Sequence, residues 1–474
     1  MQRFRCANCA AIMESADLSP ACSRCGSAVV LESEARPDVR RGELEAAPAG
    51  VWRYKAFLPA VNQEQIVTLG EGGTPLLRAE RLGRELGLQK LLIKDESRNP
   101  TGSFMDRGAT VLLSLARERG IKECTCVTTG NLGASLAAYC AKAAVDSRVR
   151  VHPNTDQGKL YQMLAYGAEV TTMSARPERR VPPRSLAVTA GNPFLLEGEK
   201  TTAFEIVQDL GWLPPDAIVV PVGTGGHLSM IWQAITQLRQ SGLIGSSGCR
   251  LIGVQVEGER GSAGKRGGSA APRGASLTEL EDSEPYFHRK AAKAIKDSQG
   301  SPISTTESET LAATGLLART EGIFAEAASA SVIASLNEAT RGGLIHRDET
   351  VVCVVTGAGL KDPRAVSRVA RETRRVAMGS PYLVPVSQIG GTKLALLRLL
   401  SGRSGYGYDM WRQLRSERPI TTASVYQHLE ELEALGLVRR EGAVTAKGRE
   451  RVVYELTRRG TEVLRMATTL EQRP

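Results

Sequence analysis

Residues Asn99-Pro100-Thr101-Gly102-Ser103-Phe104-Met105-Asp106-Arg107-Gly108 connect two runs of different period. Before them, Leu91-Leu92-Ile93-Lys94-Asp95 is short and apolar, as a buried strand is; after them, apolar positions recur at helical spacing from Phe104 to Arg119. Asn99-Pro100-Thr101-Gly102 is turn chemistry, because proline fixes one φ and glycine accepts a positive one. The stretch therefore reads as strand, turn and helix, with Met105 at the helix start. A thioether there offers neither a nucleophilic amine nor a proton to transfer.

The same alternation recurs on either side. Glu71-Gly72-Gly73-Thr74-Pro75-Leu76 opens it, and the repeated strand and helix patterns imply an α/β domain. A β-like stretch, Cys124–Val127, leads into Thr128-Thr129-Gly130-Asn131-Leu132-Gly133-Ala134-Ser135, read as a turn, and then a helix-like run from Leu136 to Lys142. A third unit, Ile218-Val219-Val220-Pro221-Val222-Gly223-Thr224-Gly225-Gly226-His227, is a strand followed by a glycine turn and a helical segment. Small residues let several backbone N–H groups approach one phosphate, and a helix N-terminus adds favourable potential. Alone, such a turn is equally a structural connector. Val354-Val355-Thr356-Gly357-Ala358-Gly359-Leu360-Lys361-Asp362 is a fourth unit.

In this order, together with Gly158–Gln162, Tyr166–Ala168, Asn192-Pro193 and Glu197–Thr201, the motifs resemble those of threonine synthases and related fold-type II pyridoxal phosphate (PLP) enzymes. The resemblance spans roughly Cys6 to Asp362 and implies two α/β lobes enclosing a cleft. It puts Met105 at the Schiff-base lysine position, so no catalytic residue carries over there. It implies Asn131 beside the ring hydroxyl, Thr356 facing the pyridine nitrogen, and Gly223, Thr224, Gly225 and Gly226 around the phosphate. Ser103, Thr129 and Ser135 would surround a substrate or ligand carboxylate. Lys94, Lys159 and Lys361 match positions that coexist with the Schiff-base lysine in the family, which makes them poor replacements. His227 and Arg107 are either functional or simply hydrogen-bonded structure. The Arg/Pro-rich run from Ser174 to Arg184 and the Gly/Ser/Arg-rich run from Arg260 to Arg273 depart from the family, which leaves substrate specificity open.

Cys6, Cys9, Cys22 and Cys25 are spaced C-x2-C-x12-C-x2-C, two thiolate pairs able to place four sulfurs around zinc. A pair of disulfides is the alternative. Four sulfur ligands leave no open position for water, so the zinc would be structural. The other five cysteines lack such spacing and read as packing residues.

A new pattern begins after Pro381-Tyr382-Leu383-Val384-Pro385 and Ile389-Gly390-Gly391. Leu394–Leu400 is a helical stretch, a second helix follows Gly405-Tyr406-Gly407-Tyr408-Asp409-Met410 through Arg415, and Thr421 or Thr422 can cap a third. Leu429, Leu432 and Leu435 would face its core, and a basic hairpin is expected from Gly442 to Leu456 before a last helix. These motifs resemble the PadR-like winged-helix DNA-binding domain over about 85 residues. The resemblance implies a recognition helix from Thr421 to Leu435, presenting Thr422, Ser424, Gln427 and His428, and a wing whose Lys447, Arg449 and Arg451 meet phosphates. A winged helix serving only subunit contacts is the alternative.

Composition agrees with a multidomain globular chain. Its 474 residues are 42% hydrophobic and 24% charged, with a net charge of +10. The segment from Pro385 onward carries 15 Lys/Arg and 10 Asp/Glu, so 15 − 10 = +5 lies in the last fifth. No apolar run approaches the roughly 20 residues that span a bilayer, and MQRFRCANCA lacks a signal-peptide core, so a cytoplasmic location without a membrane partner is expected. The expected organisation is a zinc ribbon at 1–35, a threonine synthase-like α/β domain at 36–378, a linker at 379–391 and a winged helix at 392–474. The expected function is a DNA-binding regulator, as a homodimer, whose disabled enzyme domain senses a small ligand. The ligand would be PLP held non-covalently, a PLP–amino-acid imine or a metabolite of threonine synthesis. The alternatives are an active threonine synthase or amino-acid lyase with a fused regulatory domain, and a non-catalytic partner of a threonine synthase.

Overall fold

The computed structural model describes residues 2–32, 34–128, 130–152, 155–173, 184–257, 285–363, 365, 389–402, 404–416, 419–446 and 449–471. The chain divides into two compact units, Met1–Val369 and Ala370–Pro474.

The first unit holds three sheets. The largest has six strands in the order Ser301–Thr306, Arg250–Glu257, Ala217–Pro221, Thr350–Val355, Lys90–Asp95 and Leu76–Arg78; all pairs are parallel except the last. Its central strands are apolar on both faces, as helices covering both sides of a parallel sheet require. Along Thr350–Val355, Val352 and Val354 enter one core while Val351, Cys353 and Val355 enter the opposite one. A second lobe carries a four-stranded parallel sheet ordered Glu169–Thr172, Asp146–Val151, Glu123–Thr128, Ser185–Val188. The helix Met105–Glu118 leaves the large sheet through the turn at Asn99 and packs its Ala109, Leu112, Leu113 and Ala116 into this smaller lobe.

One contact fixes that helix closely. A Cβ on Gly198 would lie 1.8 Å from the Arg107 carbonyl oxygen, and one on Gly108 would lie 2.5 Å from Leu195. Two glycines thus let the helix Pro193–Glu199 lie directly on the first turns of Met105–Glu118.

The third sheet, Ile12–Ser15, Gln2–Cys6 and Val29–Leu31, is antiparallel and small. Phe4, Cys6, Cys22 and Val29 share a core with the smaller lobe, and Phe4 meets Phe194 edge to face at 5.8 Å. The five remaining cysteines are buried, as expected of packing residues.

One boundary differs from the sequence reading. The stretch read as a turn through Ser135 ends at Gly130, and the helix runs from Asn131 to Ala143. Gly130, at φ 156°, makes the break, whereas Gly133 is small because a Cβ there would lie 2.7 Å from Thr128. Glycine and alanine here allow close packing of a helix on a strand.

The second unit is a winged helix. Helices Gly391–Leu399, Gly407–Leu414, Thr422–Ala434 and Arg458–Glu471 surround a sheet ordered Gly405–Tyr406, Arg449–Leu456, Val438–Ala446. Leu396, Leu397, Val425, Leu429, Leu432 and Leu437 are fully buried, and Leu435 packs beside them. The hairpin starts at Val438, earlier than Gly442, because Val438 pairs with Leu456 and a register shift between Arg440 and Gly442 lets the strand continue. Most of the expected linker lies outside the described residues. No helix among the described residues is long and apolar enough to cross a membrane.

Candidate functional site

The cleft of the first unit is built from strand ends. Ser103 bridges Gly357, Phe104 N–H donates to the Thr356 carbonyl at 3.0 Å, and Ala358 N–H donates to the Gly102 carbonyl at 2.9 Å. These bonds stitch the turn before Met105 to the end of strand Thr350–Val355. Met105 and Thr356 consequently line one cavity, together with Phe104, Thr128, Asn131, Glu199, Gly223, Thr224, Gly225, His227 and Glu326. No lysine is among the described residues that line it.

The glycine turn opens the 15-residue helix Gly226–Gln240. Gly225 has φ 88°, and a Cβ there would lie 2.7 Å from the Phe287 carbonyl oxygen, so position 225 tolerates no larger residue. Thr224 Oγ1 accepts from Gly226 N–H at 3.2 Å. Gly223, Thr224 and Gly225 face the cavity while Gly226 begins the helix, an arrangement suited to a phosphate dianion. Thr356 Oγ1 lies 2.7 Å from Ser329 Oγ, which also accepts from Gly357 N–H at 2.8 Å. Asn131 Nδ2 donates to Glu326 Oε1 at 2.8 Å, and Lys159 Nζ is 3.4 Å from Glu326 Oε2.

Other expected residues lie just outside this lining. Ser135 Oγ donates to Asp106 Oδ1 at 2.6 Å, and Ser103 Oγ accepts from Met105 N–H at 3.4 Å. Thr129 lies outside the described residues. Lys94 is bound to the Thr74 carbonyl, Glu205 and Asp209, and Lys361 donates to the Thr101 carbonyl at 2.9 Å. Burial lowers the Lys361 ammonium to about 8. Arg107 is fully buried, but its guanidinium binds Glu96, Glu205, Thr74 and Thr201. His227 stacks on Phe104 at 4.3 Å, and burial pushes its imidazole down to about 4, so it is neutral.

Sequence reasoning missed two lining carboxyl groups. Glu199 and Glu326 are buried polar residues of the cavity wall. Glu199 sits inside a quoted motif, where helical spacing separates it from its ion-paired neighbours Glu197 and Lys200, joined at 2.5 Å.

The ring and phosphate functions of PLP fit this donor set: a glycine turn closed to side chains, a buried threonine hydroxyl and an asparagine. The aldehyde function finds no amine at position 105, which presents a thioether.

In the small antiparallel-sheet region, the sulfurs of Cys6, Cys9, Cys22 and Cys25 lie within 4.8 Å of one another. Cys6–Cys25, Cys9–Cys25 and Cys9–Cys22 separations are 3.5, 3.6 and 3.7 Å. A zinc ion with Zn–S bonds near 2.3 Å sets tetrahedral S···S edges of about 3.8 Å, so the four thiols suit that ion. All four are free thiols.

In the winged helix, Thr421 Oγ1 caps the helix Thr422–Ala434 by accepting from Ser424 N–H at 3.2 Å. Gln427 is exposed, while Thr422, Ser424 and His428 are half-buried. Glu431 draws Gln427 Nε2 to 3.3 Å, His428 Nδ1 to 3.5 Å and Lys393 Nζ to 2.8 Å. Arg449 and Arg451 lie at the start of the hairpin's second strand, the middle one of the sheet; their side chains and Lys447 fall outside the described residues.

Comparisons with known proteins agree with this geometry. Residues 67–357 match the family described as Pyridoxal-phosphate dependent enzyme, and residues 396–466 match the Transcriptional regulator PadR-like family. Threonine synthase of Methanocaldococcus jannaschii is 37% identical over 390 residues, covering 78% of this chain and 96% of that protein. Threonine synthase of Methanosarcina acetivorans is 36% identical over 392 residues, covering 78% and 95%. Among solved structures, maize serine racemase shares the fold, with a TM-score of 0.51 at 15% identity over 64% of this chain and 92% of that one. The chain belongs to the pyridoxal-phosphate dependent enzyme family, with threonine synthases as relatives along nearly their whole length, and it carries a C-terminal PadR-like winged-helix domain.

Proposed function

We propose that this chain is a DNA-binding regulator whose PLP-enzyme domain holds a small phosphorylated ligand without a covalent bond at position 105. The observation supporting it is Met105 in a cavity that no described lysine lines, within a chain that also carries a PadR-like domain. Bound PLP would supply an electron-withdrawing ring. Gly223, Thr224, Gly225 and the start of the following helix would hold a phosphate, and Asn131 and Thr356 would orient a ring. Ser103 and Thr129 are proposed to shape the end that receives a carboxylate, with Ser135 behind them bound through its hydroxyl to Asp106. Met105 and Phe104 add an apolar wall that excludes water and moves no proton.

The effector is PLP, a conjugate of PLP with an amino acid, or a phosphorylated metabolite of the threonine synthase reaction. For the ligand to carry a message, it must favour one arrangement of the protein over another. A coupling of about 1–3 kcal/mol would change operator affinity about 5- to 150-fold. A homodimer would present two recognition helices to half-sites about one DNA turn apart.

The test is absorbance titration of the unaltered protein with PLP, then borohydride treatment and peptide mapping, alongside selection of genomic fragments in vitro. Saturable PLP binding without a lysine adduct, and preferred fragments whose affinity responds to ligand, are expected. A borohydride-fixed lysine adduct, or threonine synthase turnover, would instead establish the enzyme reading that the named relatives favour. Absence of any preferred fragment at moderate salt would remove the regulator reading, because basic proteins bind DNA nonspecifically.

Wing and recognition helix separate in a second measurement. Replacing Arg449 and Arg451 by alanine should weaken binding to all sequences and reduce the salt slope by about 2, whereas Gln427→Ala should alter preference among sites. An unchanged salt slope would remove the wing from the interface.

A structural zinc ion is also proposed at Cys6, Cys9, Cys22 and Cys25. Metal analysis should find about one zinc per chain, absent in Cys9→Ser. Because Cys6 and Cys22 share a core with the smaller lobe, chelation should lower the melting temperature as well. A zinc-free protein with unaltered melting would remove this site.

A further inference from the structure

Glu199 is 1% exposed, lines the same cavity as Met105, and its Oε1 has no hydrogen-bond partner among the described residues. An isolated buried carboxyl is costly unless something pairs with it. Its neighbours do not serve. Glu197 and Lys200 satisfy one another at 2.5 Å, and the other lining carboxyl, Glu326, is engaged by Asn131 and Lys159.

The position of Glu199 is set by the fold. Gly198, packed against the Arg107 carbonyl and Gly108, holds the end of Pro193–Glu199 on the first turns of the helix that Met105 begins. The cavity therefore has a carboxyl in search of a donor and, at position 105, a thioether that supplies none. It also has a glycine turn suited to an anion, with neutral His227 and no lysine or arginine among its described lining residues.

We propose that Glu199 selects a ligand that brings its own amine, the aminated form of a phosphorylated pyridine, over the corresponding aldehyde. This rests on the reading of the cavity as a non-covalent ligand site. Burial raises the Glu199 carboxyl well above the ordinary range, which favours its protonated form until a cation pairs with it. A ligand ammonium turns the orphaned group into one end of a charge-assisted hydrogen bond. An aldehyde can at most accept a neutral hydrogen bond from the protonated carboxyl, weaker than the charge-assisted one, and it finds no protein amine with which to react.

The experiment compares pyridoxamine 5′-phosphate, pyridoxal 5′-phosphate and inorganic phosphate by calorimetry on the full chain and on Glu199→Gln. A hydrogen bond to a charged group is expected to favour the amine over the aldehyde by about 10- to 100-fold. In Glu199→Gln, which keeps the side-chain shape, that preference should fall to within about threefold, mainly by weaker amine binding. Equal or tighter binding of the aldehyde by the unaltered protein would overturn the proposal while leaving the ligand site intact. So would a preference that survives Glu199→Gln, or a substitution that weakens both ligands equally. Failure of all three probes to bind would remove the ligand-site reading and this proposal together.

Discussion

Met105→Lys should convert reversible PLP binding into covalent capture, visible as a shifted absorbance band that borohydride fixes to position 105. Release should slow by about 100-fold or more, since dissociation would then require a bond to break. The physical basis is local. Position 105 begins a helix stitched to Thr356 through the Phe104 and Ala358 backbone bonds, so a lysine there would enter a cavity already lined by the glycine turn, Asn131 and Thr356. The neutral amine of that lysine is the nucleophilic form. The unaltered protein, assayed in parallel, should leave no adduct on Lys94, Lys159 or Lys361. Capture at one of those lysines would defeat the non-covalent reading. A Met105→Lys protein that binds PLP but never forms the adduct would show that more than one residue separates this cavity from an active one.

Much of the architecture was legible because backbone chemistry is local. Asn99-Pro100-Thr101-Gly102 predicts a turn between strand and helix, and the structure places strand Lys90–Asp95 and helix Met105–Glu118 on either side. The cap of the third winged-helix helix likewise narrows to Thr421 or Thr422, and Thr421 takes it. What escaped depends on distant packing. Gly133 looks like a turn residue until Thr128 is seen against it, and the start of helix Asn131–Ala143 moves accordingly. Glu199 looks like one more charge in Glu197-Gly198-Glu199-Lys200. Only the fold reveals that two of those charges pair and the third faces the cavity unpaired. Ser135 has the residue type for anion binding, but in three dimensions its hydroxyl is committed to Asp106.

Arg107 is the sharpest case of a residue whose type suggests ligand recognition and whose surroundings assign it to stability. Its Nε lies 2.5 Å from Glu96 Oε2 and its Nη2 lies 2.7 Å from Glu205 Oε2, while Lys94 reaches the same Glu205 oxygen at 2.9 Å. Two cations and two carboxylates thus meet where all four side chains are at most 5% exposed, and Lys94 also reaches Asp209 at 3.1 Å. Burial raises both carboxyls, but Arg107 overrides it and holds Glu96 and Glu205 below the ordinary carboxylate range. Arg107→Met should leave them buried with Lys94 alone, costing about 3–5 kcal/mol. That is a large share of the about 5–15 kcal/mol that typically separates folded from unfolded protein. Carboxylates with depressed values contribute stability that is complete above their unfolded value of about 4.3 and is lost as pH falls through the folded one. The variant's unpaired carboxyls instead take up protons early, which relieves the defect in acid. The difference in unfolding free energy between the two proteins should therefore be largest at neutral pH and narrow below about pH 4. Denaturant unfolding at several pH values reads this directly. A neutral-pH difference below 1 kcal/mol, accompanied by loss of phosphate-ligand binding, would move Arg107 from the scaffold to the site.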